Sequence, residues 1–251
     1  MLVMGILNVT PDSFADGGRH HEFDAAVKRG LEMIAEGVDI IDIGGESTRP
    51  GAERVSEEEE IARTIPVITE LAKQGTPISI DTMRSRTAEA AIKAGASIIN
   101  DVSGGLADPE MLQTAARLGV PYIAMHWRGQ SKDMNSKAIY NDVVIDVISE
   151  LQERITAALD AGIEVGNLII DPGLGFAKDG EHNWEIIDSI DSFVDLGYPV
   201  LIGASRKRFL GGDSPDEREQ ATIDLTKRLA TTGVWAVRVH SVKPHKEVLA
   251  Q

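Results

Sequence analysis

A chain of 251 residues, 42% of them hydrophobic, is long enough for one large domain with a sizeable core. Its net charge of −15 excludes long-range capture of nucleic acid or anionic lipid, so any basic function must be local. Cys is absent, which removes disulfides, thiolate zinc sites and a cysteine nucleophile together and favours a reducing compartment.

The first eight residues are apolar but carry no positive leader, and Pro11 and Asp12 interrupt them before a signal-peptide core could form. No run approaches the roughly 18 apolar residues needed to span a bilayer. The expectation is a soluble, cytoplasmic protein without nucleic-acid or membrane partners. A strand is predicted over 3–7, followed by an amphipathic helix over 23–36. The pattern then repeats: strand 40–43, helix 56–73, strand 78–80, helix 84–93, strand 98–99, helix 109–118, strand 122–125 and helix 140–161. It continues with strand 168–170, helix 182–196, strand 200–202, helix 215–232, strand 234–239 and a short helix over 242–250. Glycines such as Gly37, Gly75, Gly95, Gly119, Gly197 and Gly233 fall where helices close, and Pro77, Pro121 and Pro199 fall at strand starts that lose no needed donor.

About eight alternations of strand and helix predict an α/β fold, a TIM (β/α)8 barrel forming a single domain over 1–251. The alternative, an open doubly wound sheet, would be favoured by a GxGxxG turn after the first strand, and the sequence has none. In a barrel the carboxyl ends of the strands form the functional rim. Those ends are Asn8, Asp42, Asp81, Asn100 with Asp101, Met125 with His126, Asp171, the run 203–207, and Arg238 with His240.

Asp42, Asp81, Asn100 and Asp171 are short acceptors and amides on otherwise apolar strands, where an unpartnered carboxylate is costly. A flat heterocycle with amino and ring NH groups would satisfy them, although each Asp taken singly also reads as a helix cap or loop bond. The segment Asp42-Ile-Gly-Gly-Glu-Ser-Thr-Arg-Pro-Gly51 ends its strand in a glycine pair, which lets Glu46, Ser47, Thr48 and Arg49 face a ligand. The opposite side of the rim is cationic: Ser205-Arg-Lys-Arg208 follows one strand, while Arg238 and His240 alternate along the last. In so acidic a chain this cluster reads as an anion site, with Ser205 near a helix start adding backbone donors. At least one of Arg206 and Arg208 reads as a plain surface charge. His20, His21, His182 and His245 have no strand-end placement and read as surface groups.

Eight motifs carry a resemblance. They are Met4-Gly-Ile-Leu-Asn-Val-Thr-Pro-Asp-Ser-Phe-Ala-Asp-Gly-Gly18, the 42–51 segment, Ile80-Asp-Thr82, Ile99-Asn-Asp-Val-Ser-Gly-Gly105, Met125-His-Trp-Arg128, Asp171-Pro-Gly-Leu-Gly-Phe176, Gly203-Ala-Ser-Arg-Lys-Arg-Phe209 and Val237-Arg-Val-His240. In order and through nearly the whole chain, they closely resemble the dihydropteroate synthase family. The resemblance implies condensation of 6-hydroxymethyl-7,8-dihydropterin diphosphate with 4-aminobenzoate, giving 7,8-dihydropteroate and diphosphate for folate synthesis. It also implies that Asp81, Asn100, Asp171 and Lys207 hold the pterin, with Met125 and Phe176 packing nearby. Arg49, Arg238 and His240 would cradle the diphosphate. Asn8 would be the protein contact to Mg2+, the implied cofactor.

Thr48, Pro50 and Ser205, with Phe14 and Asp16 of the first loop, would form the aminobenzoate pocket, Ser205 and its helix end receiving the carboxylate. Asp42 would orient Arg49 or the pterin side. Arg49, Lys207, Arg238 and His240 are thus the expected catalytic groups, and a homodimer the expected assembly. Relative to that family few residues precede the first strand, so a thinner cover is expected on the barrel floor. Three other readings share part of the pattern: a pterin-barrel methyltransferase, a non-catalytic pterin-binding paralogue and a purely structural barrel.

Overall fold

Eight parallel strands alternate with helices in the computed structural model, which describes residues 1–10, 18–46, 54–130 and 134–250, with the backbone alone at 18–21, 134 and 135. The chain runs β1 (Leu2–Asn8), α1 (Gly18–Ala35), β2 (Ile40–Gly44), α2 (Glu57–Leu71), β3 (Ile78–Asp81), α3 (Ser85–Ala94), β4 (Ile98–Asp101), α4 (Met111–Leu118) and β5 (Tyr122–Met125). It continues through α5 (Val143–Asp160), β6 (Leu168–Asp171), α6 (Gly180–Asp188), α7 (Ile190–Val194), β7 (Leu201–Ile202), α8 (Arg218–Leu229), β8 (Ala236–Val239) and α9 (Val242–Leu249). The strand order is β6-β5-β4-β3-β2-β1-β8-β7, and a parallel bridge from Ile170 to Val200 brings β6 beside β7 and closes the cylinder. This is the single-domain (β/α)8 barrel that the alternation predicts.

Side-chain parity divides the strands into two faces. Val3, Leu7, Ile41, Ile43, Ile78, Ile80, Ile99, Tyr122, Leu168, Ile170, Val237 and Val239 point outward into one apolar layer beneath the helices. Met4, Ile40, Ile98, Ile123, Ile169, Leu201 and Ala236 point inward and fill the lower barrel, with Leu2 and Trp235 packed against them as its floor. Two residues further along each strand, the same inward parity brings up Asp42, Asn100, Met125, Asp171 and Arg238. The polar rim is therefore the next layer of a packed lumen.

Local chemistry sets the helix starts. Ser56 caps α2, its Oγ accepting from Glu59 N at 3.1 Å, and Glu57 to Glu60 place four carboxylates on the first turn. Asp142 accepts from Val144 N and Ile145 N at the start of α5. His182 stays at the surface, where it forms a capping box with Asp179 on α6. His245, expected at the surface, is a correction: it is fully buried, its Nδ1 2.8 Å from Thr226 Oγ1, because α8 packs over α9 there.

The helix predicted over 182–196 breaks at Ser189, and the one predicted over 215–232 begins only at Arg218. Gly211 and Gly212 at positive φ, followed by a turn in which Ser214 Oγ donates to Glu217 Oε1, occupy the intervening chain. No α-helix therefore begins beside Ser205, and the helix-end anion site expected there is not formed. Only a 3-10 turn, Arg208–Leu210, follows it.

Candidate active site

Inside the upper barrel one guanidinium joins two carboxylates. Arg238 Nε donates to Asp42 Oδ2 at 2.5 Å, and its NH2 group donates to Asp81 Oδ2 at 2.6 Å. Asn100 Nδ2 donates to the same Asp42 oxygen at 3.2 Å. Asp42 Oδ1 is buried without a hydrogen-bond partner among the described residues. An acceptor left unmet at such a position would cost about 1–3 kcal/mol, so it is a place where a donor is favoured. The acidic and cationic halves of the rim thus interlock through Arg238 instead of standing apart.

Burial pushes the Asp81 carboxyl up to about 7, against the pull of Arg238. Burial likewise raises Asp171, opposed by the Gly173 amide and the Lys207 charge. Asp171 Oδ1 accepts from Gly173 N at 2.7 Å, which curls the β6 loop back over its strand. Lys207 crosses to that loop: its Nζ donates to Leu174 O and lies 4.7 Å from the centre of the Phe176 ring. Burial draws Lys207 down to about 8. Met125 is buried at the end of β5, beside Asp171 in register.

On the far side of β8, Ser205 Oγ lies 2.9 Å from His240 Nδ1 and accepts from His240 N at 3.2 Å, so these two side chains meet. Arg206 stands at φ 58, a left-handed conformation unusual for a residue with a Cβ, and is held by Glu219 at 2.6 Å and Ser241 at 2.9 Å. Arg208 is exposed, as a surface charge should be.

Glu46 is engaged by basic side chains of the protein itself. It is tied to Arg54 and Arg84, each at 2.9 Å, while Arg84 also pairs with the buried Glu60. Arg63 NH1 donates to Gly45 O at 3.0 Å and completes the anchor of the second loop. Phe14, Asp16, Thr48, Arg49 and Pro50 lie outside the described residues.

The sequence reading missed Lys178. It is buried and donates to His126 Nδ1 at 2.9 Å, Gly173 O at 3.1 Å and Phe176 O at 3.1 Å. The one sequence signal was a lysine inside a glycine-rich turn. Gly173 in that turn has φ 70, and a Cβ there would stand 2.4 Å from His126 O. Gly173→Ala is therefore expected to cost about 2–4 kcal/mol and to lower Tm by roughly 5–15 °C in a calorimetric scan; an unchanged Tm would show that the turn relaxes freely.

Among the described residues, no group of three His, Asp or Glu side chains could hold a metal ion. A single neutral oxygen, that of half-buried Asn8 at the tip of β1, matches a hard ion kept mainly by water and substrate phosphate.

A pterin binding enzyme family model matches residues 4–240. The dihydropteroate synthase of Mycobacterium leprae is 49% identical over 257 residues, spanning 98% of this chain and 90% of that protein. The chain belongs to the dihydropteroate synthase family. A solved Xanthomonas albilineans dihydropteroate synthase with 4-aminobenzoic acid superposes with a TM-score of 0.93 at 44% identity, covering 99% of this chain and 90% of that one. A second structure from that organism, in complex with 7,8-dihydropteroate, gives a TM-score of 0.90 at 41% identity, over 99% and 91% of the two chains. Among the described residues, no helix of this dihydropteroate synthase family member is long and apolar enough to cross a membrane.

Proposed function

We propose that the rim joins 6-hydroxymethyl-7,8-dihydropterin diphosphate to 4-aminobenzoate. The observation that carries this reading is the lumen-facing set Asp42, Asp81, Asn100 and Asp171, gathered at one end of the barrel, with one Asp42 oxygen that no described residue meets. Asp81, Asn100 and Asp171 read the amino and ring NH edge, while Lys207 lies over Phe176 and with Met125 bounds the ring faces. Donors arriving at Asp81 replace its bond to Arg238. The guanidinium then turns toward the departing diphosphate together with His240 and Arg49. Thr48, Pro50, Phe14 and Asp16 enclose the aminobenzoate beside Ser205.

The bond from the pterin methylene carbon to diphosphate oxygen breaks as the electron-rich ring stabilises the cation. The amine nitrogen then attacks that carbon and loses one proton to solvent water. Preorganised cations lower the barrier to anion departure, and positioning the neutral amine contributes the rest. Asn8 is the side chain that would hold Mg2+ on the protein side, and the ion would supply charge neutralisation of the diphosphate. The reading extends to a homodimer, which light scattering in solution tests, and to a cytoplasmic setting.

The deciding experiment is an assay of diphosphate release with and without 4-aminobenzoate. Release that depends on the amine supports synthesis, whereas calorimetric binding of pterin diphosphate without release identifies a binder. Chelation is expected to abolish turnover, and Asn8→Ala to raise the Mg2+ concentration for half-maximal rate about ten-fold, the equivalent of about 1.4 kcal/mol. An unchanged requirement would free Asn8 from that role.

A further inference from the structure

Lys178 occupies the centre of a closed circuit of contacts that no substrate-facing role explains. An ammonium has three donors, and Lys178 spends them on His126 Nδ1, Gly173 O and Phe176 O. The two carbonyls bracket the turn that carries Phe176 and the Leu174 carbonyl used by Lys207. Because Nδ1 accepts, the His126 proton sits on Nε2, which donates to Glu150 Oε2 at 2.9 Å. Burial, with Lys178 beside it, draws His126 down to about 4, so a neutral ring is what the site holds near pH 7.

Glu150 also receives Arg128, whose Nε lies 3.0 Å from Oε2, and the Arg128 guanidinium lies 3.8 Å from the centre of the Tyr140 ring. Tyr140 OH donates to Ala177 O at 2.9 Å, one residue before Lys178. Ala177 has φ 47, so the turn adopts a backbone that a residue with a Cβ disfavours and that must be held by its surroundings. The circuit thereby grips the β6 loop at its Gly173, Phe176 and Ala177 carbonyls, with the Lys178 ammonium close enough to Asp171 and Lys207 to feel both charges.

We infer that Lys178, held by His126, is a positioning residue that shapes the β6 loop into the pterin seat. The inference rests on the pterin seat proposed above. Lys178→Met keeps the length of the side chain and removes every donor. It is expected to raise KM for pterin diphosphate by about ten-fold or more while leaving KM for 4-aminobenzoate within about two-fold. His126→Asn, which can still offer Lys178 an acceptor, is expected to stay within about three-fold of the parent, and His126→Leu to follow Lys178→Met.

Calorimetric titration with pterin diphosphate is run on each variant beside Asp171→Asn. Normal pterin affinity in Lys178→Met with weakened binding in Asp171→Asn overturns the positioning role alone. Normal affinity in both overturns the seat itself. Equal loss toward both substrates, or no recovery in His126→Asn relative to His126→Leu, reduces Lys178 to general structural support and also overturns the inference. Should Lys178→Met fail to fold, the His126 pair makes the same comparison.

Discussion

Arg238→Met is expected to lower kcat/KM by about 100-fold to 1000-fold and to destabilise the fold by about 3–5 kcal/mol, because it strips the counterion from two buried carboxylates at once. Arg238 is itself held more firmly protonated than usual: burial works against its charge, but Asp42 and Asp81 outweigh that. Without it, the carboxyl at Asp81, already at about 7 with the guanidinium present, rises further.

A carboxyl raised in the folded state contributes stability in full below its unfolded value, near 4, and loses that contribution as pH rises through the folded value. The Tm deficit of the variant against the parent should therefore be small at pH 5 and largest above pH 7. The double change Arg238→Met with Asp42→Asn should recover much of the stability at pH 8 and none of the activity. Recovery of both would mean that the cation serves the fold alone; a deficit independent of pH would mean that Asp81 stays ionised.

The pairing behind that prediction shows where the sequence was legible. Strand parity placed Asp42, Asp81, Asn100, Asp171 and Arg238 at one end of a barrel, because apolar residues two positions earlier mark the inward face of most of those strands. Parity does not reveal which charges meet. Arg238 is 196 residues from Asp42 and 157 from Asp81, and both contacts form only when β8 closes beside β1. The reading of separate acidic and basic halves came from treating sequence clusters as spatial ones.

Lys178 was hidden for a different reason. Two of its three partners are backbone carbonyls, which leave no trace in residue type, the third is a histidine 52 residues away, and its turn has no periodicity. Ser205 was misplaced with respect to a helix because the glycines at 211 and 212 and the turn after them delay α8 to Arg218. His245 looked like a surface group since α9 is short and polar, yet its one buried face packs on Thr226. For Lys178 and His245 the tertiary neighbour decided the outcome, and for Ser205 the local turn did.

The second large effect should come from Lys207→Gln, with pterin affinity falling about 100-fold and the pH dependence changing shape. Lys207 is a lumen cation whose charge titrates near neutrality, because burial draws its ammonium down to about 8 while Asp171 and Asp81 pull it back up. Asp81 gains its acceptor charge through about 7. In the parent, affinity for pterin diphosphate should rise as pH passes about 7 and decline beyond about 8, where Lys207 loses its proton and its hold on the ring weakens.

Lys207→Gln cannot lose a charge it lacks, so the alkaline decline should shrink markedly while the acidic limb persists. Asp81→Asn should do the converse, removing the acidic limb and leaving the decline above about 8. Lys178, drawn by burial to about 7, lies beneath the same loop and adds to the alkaline limb. Its share is what remains of that limb in Lys207→Gln. Calorimetric affinities between pH 5.5 and 9.5 for the three proteins check these shapes, and an alkaline limb left at full size in Lys207→Gln would assign it to Lys178 or to the substrate's own diphosphate instead.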